Sequence, residues 1–406
     1  MSQRRTGRHA LIVGGSMSGL LAAVMLQRRG WTVDVFERVE SELAGRGAGI
    51  VAQDELIARL TALGLDVRDL GVEIGMRRLL DRDGGLSDAL ACPQVLTSWE
   101  RVYRLLRDAF PGNRYHRGRT LTGFEQTVSG VAAHFSDGGS THGDVLIGAD
   151  GLRSTVRQQC LPDVIPVYAG YVAWRALIPE VALPAAIHRE LIDAMTFCLP
   201  PGEQFLGYPV AGPDNDLRRG HRRYNVVWYR PASEARELPW LLTDEGGVVH
   251  SISIPPPRIR REAIAAMRDA AERLLAPQLH TIVRLIDEPL LQPIYDLACP
   301  RLAFGRVVVI GDAAFVARPH VAAGVSKAAD DAAVLTAELD EGDVDAALRR
   351  YEAARLPEGH RIIERARHLG AYLQASQSDE ERLRSARHGV PQAVLAETAR
   401  IDFLYN

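Results

Sequence analysis

The stretch from Ala10 to Glu37 constrains the fold more than any other part of the chain. An apolar run, Ala10-Leu11-Ile12-Val13, enters the turn Gly14-Gly15-Ser16-Met17-Ser18-Gly19. A helical pattern follows from Leu20 to Arg29, and Gly30 ends it. A second strand, Thr32-Val33-Asp34-Val35-Phe36, closes on Glu37, 18 residues past Gly19. The pattern predicts a βαβ unit with a glycine-rich first turn. Such a turn presents free N–H groups and the positive end of a helix to a pyrophosphate, and an acid at that spacing accepts from a ribose diol. Ser16 stands where the middle glycine of the usual pattern would be; its Cβ adds bulk near phosphate, and its hydroxyl can donate in return. A plain βαβ turn of some other α/β domain is the competing reading. The placement between strand and helix, together with Glu37, favours the nucleotide.

The rest of the composition narrows the class. A chain of 406 residues implies two or three domains, on a prior of roughly 150 residues each. It can bury ample core without staples. A net charge of −3 argues against dominant attraction to nucleic acid or to an anionic membrane. Lys327 is the only lysine, so the cations are nearly all arginine, the better fork for phosphate. Cys92, Cys160, Cys198 and Cys299 lie far apart with no C-x-x-C, which suggests reduced thiols and neither a disulfide framework nor a metal site. Arg4-Arg5 precedes only a short apolar run that reads as the first strand, and no apolar stretch reaches about 18 residues. The expectation is a cytoplasmic protein without membrane contact.

Further along, the loop Ser41 to Gly49 carries Gly45, Gly47 and Gly49, which read either as flexible chain or as backbone against a flat ligand. Arg46 among them is a solvated loop arginine or a partner for phosphate or flavin. A helix is expected over Gln53 to Leu63, and strands over Ile74 to Leu90 around Asp83-Gly84-Gly85. Thr97 to Phe110 reads as a helix with Ser98 as a cap, and Thr120 to Asp144 as a β-meander. Val145-Leu146-Ile147 then runs into Gly148-Ala149-Asp150-Gly151, followed by a helix bearing Arg153 and Arg157. Asp150 either orients that turn or helps grip a second phosphate and ribose. Tyr168 to Ile178, Thr196 to Val210 and Arg222 to Tyr229 are aromatic-rich β-prone runs, suggesting a sheet outside the nucleotide-binding core. Helices are expected over Glu262 to Leu275 and from Leu279. The last strong strand, Arg306 to Ile310, ends at Gly311-Asp312-Ala313-Ala314, where an α/β sheet places ligand-contacting acids. A helical pattern runs with short breaks from about Ser326 to Ala386, and the tail from Pro391 reads as a groove cap or a subunit contact.

The glycine turn, Gly148-Ala149-Asp150-Gly151 and Gly311-Asp312-Ala313-Ala314, in this order, resemble the single-component, class A flavoprotein monooxygenases, the family of para-hydroxybenzoate hydroxylase. The resemblance covers most of the chain. Ser16, Tyr168-Ala169-Gly170-Tyr171-Val172 with Trp174-Arg175, and Arg318-Pro319-His320 are similar to the branch containing 2,6-dihydroxypyridine 3-hydroxylase. The resemblance implies an α/β fold: a Rossmann-like FAD-binding domain, an inserted β-sheet substrate domain and a long C-terminal helical segment. The expected division is 1–75, 98–165 and 290–375 for FAD, 76–97 and 166–289 for substrate, and 376–406 for a terminal helix and tail. It further implies FAD, transient NADPH or NADH, O2 as co-substrate, a small aromatic substrate and no nucleic acid, with a homodimer left open.

Roles carry over by position. Gly14, Ser16, Met17, Ser18 and Gly19 would cradle the pyrophosphate, and Glu37 with Arg38 the adenosine ribose. Arg46, Asp150, Gly151 and Asp312 would also hold FAD, Asp312 through its ribityl chain. Gly324 and Val325 would aim N–H groups at the pyrimidine edge, where reduced flavin is negative. Pro319, Arg175 and Phe205 would contact the substrate, Arg175 by holding an anionic ring or else simply pairing with a nearby carboxylate, with His320 and Tyr208 as catalytic candidates. The unperturbed pKa of histidine suits proton transfer near neutrality, though His320 reads equally as a structural histidine, Tyr208 as sheet packing and Phe205 as core. The implied reaction is hydroxylation of a small hydroxylated ring, such as a hydroxypyridine, through a C4a-hydroperoxyflavin. The alternatives are another phenol or heterocycle in natural-product metabolism, and a flavin-binding sensor or scaffold. Phe315, where the family has histidine, favours the scaffold; Ala322-Ala323-Gly324, Ser326 and Tyr103 are further departures.

Overall fold

The computed structural model describes residues 8–43, 49–340 and 342–404. Arg46 lies outside them. The architecture is α/β, with a six-stranded sheet, a nine-stranded sheet and a small three-stranded one.

The strand His9–Val13 sits inside the six-stranded sheet, parallel to Val145–Gly148 on one side and to Thr32–Glu37 on the other. Val307–Val309 runs parallel beyond Val145–Gly148. Residues Ala10 to Val13 and Val145 to Ile147 are buried without alternation, as parallel strands covered on both faces require. The helix Met17–Arg28 covers one face and packs against Gly324–Asp340. It starts one turn earlier than its apolar pattern suggests, because the glycine turn is already helical from Met17.

Three neighbouring parallel strands therefore end at one edge, and each ends in a glycine turn: Gly14 after Val13, Gly148 to Gly151, and Gly311 after Val309. Their carboxyl ends form the edge at which sheets of this kind bind ligands.

The nine-stranded sheet runs Phe315–Val316, Leu290–Ala298, Val167–Pro179, Arg223–Pro231, Gln204–Val210, Ala194–Cys198, Val72–Leu80, Leu86–Ser98 and Gly49–Ala52. The run Thr196 to Val210 is thus two antiparallel strands, broken after Pro200-Pro201 at Gly202, whose φ is +71°. Alternation along the strands divides two cores. Phe205, Tyr224 and Trp228 face the helices Arg261–Leu274 and Pro277–Arg284, whereas Leu206, Tyr208, Val227 and Tyr229 face the opposite way. Leu121–Gln126, Val131–Phe135 and Ser140–Gly143 form the expected meander. Ser98 caps Trp99–Asp108, accepting from the Arg101 amide. The C-terminal helical run is Val344–Gly370, Asp379–His388 and Pro391–Glu397.

Candidate active site

The three turns touch. A Cβ added to Gly14, whose φ is +105°, would lie 2.2 Å from the Ala149 carbonyl oxygen. One added to Gly311, at φ +58°, would lie 1.9 Å from Ser18 Oγ. Only glycine permits both the backbone angle and the approach. Gly19 is needed for the approach alone, since a Cβ there would meet the Gly14 carbonyl. The Met17 side chain is buried in the core, so what it can offer a pyrophosphate is its backbone N–H at the start of the helix. Arg157 bridges the second and third turns: its guanidinium, 1% exposed, donates to the carbonyls of Leu152 at 2.6 Å and Ala313 at 3.1 Å. It is a strut between turns, not a phosphate grip. Arg153 is exposed.

Beside this junction a cavity of ≈ 290 Å³ is lined by Gly14, Ser16, Glu37, Arg38, Asp150 and Gly151. Glu37 accepts from the Gly15 and Val39 amides, both at 2.9 Å, which fixes its carboxylate at the strand end with lone pairs to spare. Ser16 precedes the helix but makes no side-chain cap, so the first-turn N–H groups keep their donor capacity. Asp150 accepts from Ser154 Oγ and from the Thr155 amide at 2.7 Å, so it does orient the helix Thr155–Cys160 while lining the cavity. Burial pushes its carboxyl pKa up against those hydrogen bonds. Tyr103 turns its hydroxyl to Glu42 and stacks under Trp99, another cavity residue. Arg104 pairs with Glu100 instead.

A second cavity, of ≈ 270 Å³, opens between the third turn and the nine-stranded sheet. Arg175, Tyr208, Asp312, Pro319, His320, Gly324 and Val325 all line it. Asp312 is exposed although it lies deep in the molecule, because its carboxylate faces this cavity. Phe205 does not reach it. The residue is fully buried on the helix-covered face, since its parity on Gln204–Val210 is opposite to that of Leu206 and Tyr208. The expected substrate contact at Phe205 is corrected accordingly.

The proton chemistry also differs from expectation. Burial, reinforced by the Arg318 and Arg175 cations, pushes the His320 pKa down to about 3. The ring is therefore held in its neutral form, with a proton-accepting nitrogen. Its Nε2 lies 2.8 Å from the Tyr171 hydroxyl, and its buried Nδ1 has no partner. Burial pushes the phenols of Tyr208 and Tyr229 up, against the pull of Arg175. Arg175 makes no ion pair with an acid among the described residues, and its Nε has no partner. Arg318, by contrast, is spent on structure: it forks onto Asp296 at 2.9–3.2 Å and fixes the turn that carries Pro319 and His320.

Residues not singled out by sequence also line this chamber: Tyr229, Gln292, Thr398 and Ala399. Tyr229 was legible as an inward position once the strand register is known. Thr398 and Ala399 are brought there by tertiary packing alone. Phe315 faces away; Gly359 leaves room for its ring, and His360 meets it edge-on at 5.3 Å. That departure is a core substitution and lends no support to a scaffold role.

A dinucleotide fits this arrangement: an acid at the second strand end, uncapped helix N–H groups beside it, and a deep carboxylate exposed to a cavity at the third turn. Such a fold, with a second cavity under the nine-stranded sheet, is that of a flavin-dependent oxidoreductase. A family model described as FAD binding domain-like matches residues 168–296. The chain is 32% identical over 388 residues to 2,6-dihydroxypyridine 3-monooxygenase of Paenarthrobacter nicotinovorans, covering 94% of this chain and 95% of that one. It is 31% identical over 376 residues to 3-amino-4-hydroxybenzoate 2-monooxygenase of Streptomyces cremeus, covering 88% and 86%. The solved structure of 2,6-dihydroxypyridine-3-hydroxylase from Arthrobacter nicotinovorans matches with a TM-score of 0.86 and 31% identity, over 92% of this chain and 94% of that one. The chain belongs to the class A flavoprotein monooxygenases, the family of para-hydroxybenzoate hydroxylase. It is an FAD-dependent aromatic hydroxylase that consumes NAD(P)H and O2 and acts on a small hydroxylated ring.

Proposed function

We propose that the ring is an electron-rich, acidic nitrogen heterocycle of the hydroxypyridine type, bound as its anion. Arg175 carries this reading: it is a cation in the ring chamber with no acid partner among the described residues. An anionic ring oxygen would supply the missing acid partner beside the Tyr229 hydroxyl, which already hydrogen-bonds Arg175, in a site where charge-assisted hydrogen bonds are strong. Holding the ring as an anion raises its electron density, which an electrophilic oxygen donor requires. The 32% identical relative is named for a dihydroxypyridine, which fits this choice.

When bound, FAD would supply the redox chemistry, with NAD(P)H as reductant and O2 as the source of the ring's new oxygen, the other oxygen leaving as water. The residues proposed to hold it are Gly14, Ser16, Glu37, Arg38, Asp150 and Gly151 at the adenosine end, and Asp312, Gly324 and Val325 at the other. Ser18 and Gly19 would serve by shaping the turn. Neutral His320 would offer Nδ1 to the ring as a hydrogen-bond partner, with Tyr208 beside it and Pro319 as a wall. The nucleotide-binding sheet and the nine-stranded sheet are proposed to act as FAD and substrate domains. A homodimer and a cytoplasmic setting complete the reading; the four free thiols suit the latter.

NAD(P)H oxidation with a panel of hydroxylated rings, scoring oxygenated product against hydrogen peroxide, tests the proposal. Hydroxypyridines should give coupled turnover. Arg175→Met should raise KM for them by about tenfold or more, the loss of one charge-assisted contact. Equal coupling with uncharged phenols, or an Arg175→Met enzyme with unchanged KM, would overturn it.

A further inference from the structure

We propose that Thr398 and Ala399, close to the end of the described chain, form a specificity-determining wall of the ring chamber, and that buried Arg77 holds this wall in place. The inference rests on the reading of the second cavity as the ring site.

Thr398 and Ala399 line that cavity together with Arg175, Tyr208 and His320. Ala399 is tied from three directions. Its amide donates to the His320 carbonyl at 2.7 Å, and its own carbonyl accepts from Gln53 Nε2 at 3.1 Å and Gln94 Nε2 at 3.2 Å. Its φ is +57°, a left-handed conformation that alanine adopts only when its surroundings impose it. On the other side of the chamber floor, Ala322 is left-handed as well, at φ +49°.

The imposing surroundings lead back to Arg77. This side chain is 0% exposed, on the strand Val72–Leu80, and pairs with no carboxylate among the described residues. A guanidinium removed from water needs its donors satisfied. One goes to the Leu395 carbonyl at 2.8 Å; two go to Gln94 Oε1, at 2.8 and 3.1 Å. Gln94 in turn donates to Ala399. A continuous chain of bonds thus runs from Arg77 through Gln94 and Ala399 to the backbone of His320. Glu397, one residue before Thr398, is held separately by His388 at 2.7 Å and Arg365 at 3.0 Å. Ile401 is buried with Val321 and Ala323 on the far side. A segment fixed at this many points to a cavity lip sets the size of what enters.

The test uses the FAD-loaded enzyme without NAD(P)H, so binding is read apart from turnover. Titration calorimetry compares 2,6-dihydroxypyridine as a one-ring probe with a dihydroxyquinoline as a two-ring probe. The wild type should prefer the single ring by about tenfold or more, the scale on which a pocket rejects added carbon. Thr398→Ala and Ala399→Gly should shrink that preference, and glycine accepts the left-handed angle, so the second variant folds. Arg77→Met should weaken one-ring binding with flavin content retained. An unchanged ring preference in both tail variants overturns the inference. Arg175→Met separates the two failures. If it alone weakens ring binding, the wall is refuted and the chamber stands; if no variant alters ring binding, the chamber reading falls first.

Discussion

His320 and Asp312 line the same chamber, and burial moves their proton equilibria so that both favour the neutral form. For His320 the folded pKa is about 3 against 6.5 for the free side chain. Below pH 6.5 the unfolded chain takes up a proton that the folded chain refuses until near pH 3. Stability therefore falls as pH drops through that window, at a limiting slope of about 1.4 kcal/mol per unit. His320→Gln apoprotein should lose this component, and its Tm should decline less steeply than wild type between about pH 6.5 and 4. Equal slopes would mean the imidazole is hydrated. Asp312 behaves as an acid whose folded pKa is raised, by burial first and by Asp331 beside it, against the pull of Lys327. Its penalty is absent below 3.8, grows as pH rises from there to the folded pKa, where only the unfolded chain is fully ionised, and is constant above it. Asp312→Asn should thus make the apoprotein more stable at neutral pH and yet weaken FAD retention by about tenfold or more, through loss of a charge-assisted acceptor. Flavin content after gel filtration, with Tm of the stripped protein, reads both signs. A variant that keeps its flavin fully would remove Asp312 from the cofactor contacts.

At the level of elements, the site exists because three strand ends meet edge to edge and a glycine stands on one side of each contact between their turns. Gly14→Ala tests this directly. The added Cβ meets both the Ala149 carbonyl and, at 2.9 Å, Asp150 Cα, on a backbone at φ +105°. Strain and overpacking together should cost roughly 2–5 kcal/mol, visible as a lower urea midpoint and lost flavin. Gly247→Ala is the control. Its φ is +80° but nothing lies within 4 Å of the new Cβ, so only about 1 kcal/mol of backbone strain is expected, with flavin retained. Equal effects from both substitutions would show that turn contact is not what matters. The three turns were legible from sequence because their glycines answer to local backbone demands. Arg157 was not: its phosphate-gripping appearance on a helix near the second turn gave way to three carbonyls, one of them 156 residues away in sequence.

Across the whole molecule, the only lysine joins the nucleotide sheet to the C-terminal helices. Lys327, 3% exposed, donates to the Gly311 carbonyl at 2.9 Å and to Asp331 at 3.1 Å, and Asp331 also receives Arg355 at 2.8 Å. Burial alone would raise the Asp331 pKa; Lys327 and Arg355 outweigh it and hold it below the ordinary carboxylate value. That stabilisation is present above the unfolded value of 3.8 and is lost as pH falls through the folded one. Lys327→Met should cost about 3 kcal/mol, near the low end for a broken buried pair because Arg355 remains, and should start acid unfolding at a higher pH. An unshifted acid transition would show that Arg355 suffices. By itself the sequence determined the βαβ opening and the order of the three turns, since these follow from short-range spacing and backbone preference; the cofactor and the class of chemistry came through the family resemblance that those motifs carry. Tertiary structure alone decided which face of Gln204–Val210 looks into the chamber, turning Tyr208 inward and Phe205 away. It also decided that His320 is neutral, and that a segment some 79 residues beyond His320 closes its chamber. Face, protonation and enclosure depend on what surrounds a residue, and that is set by elements far away along the chain.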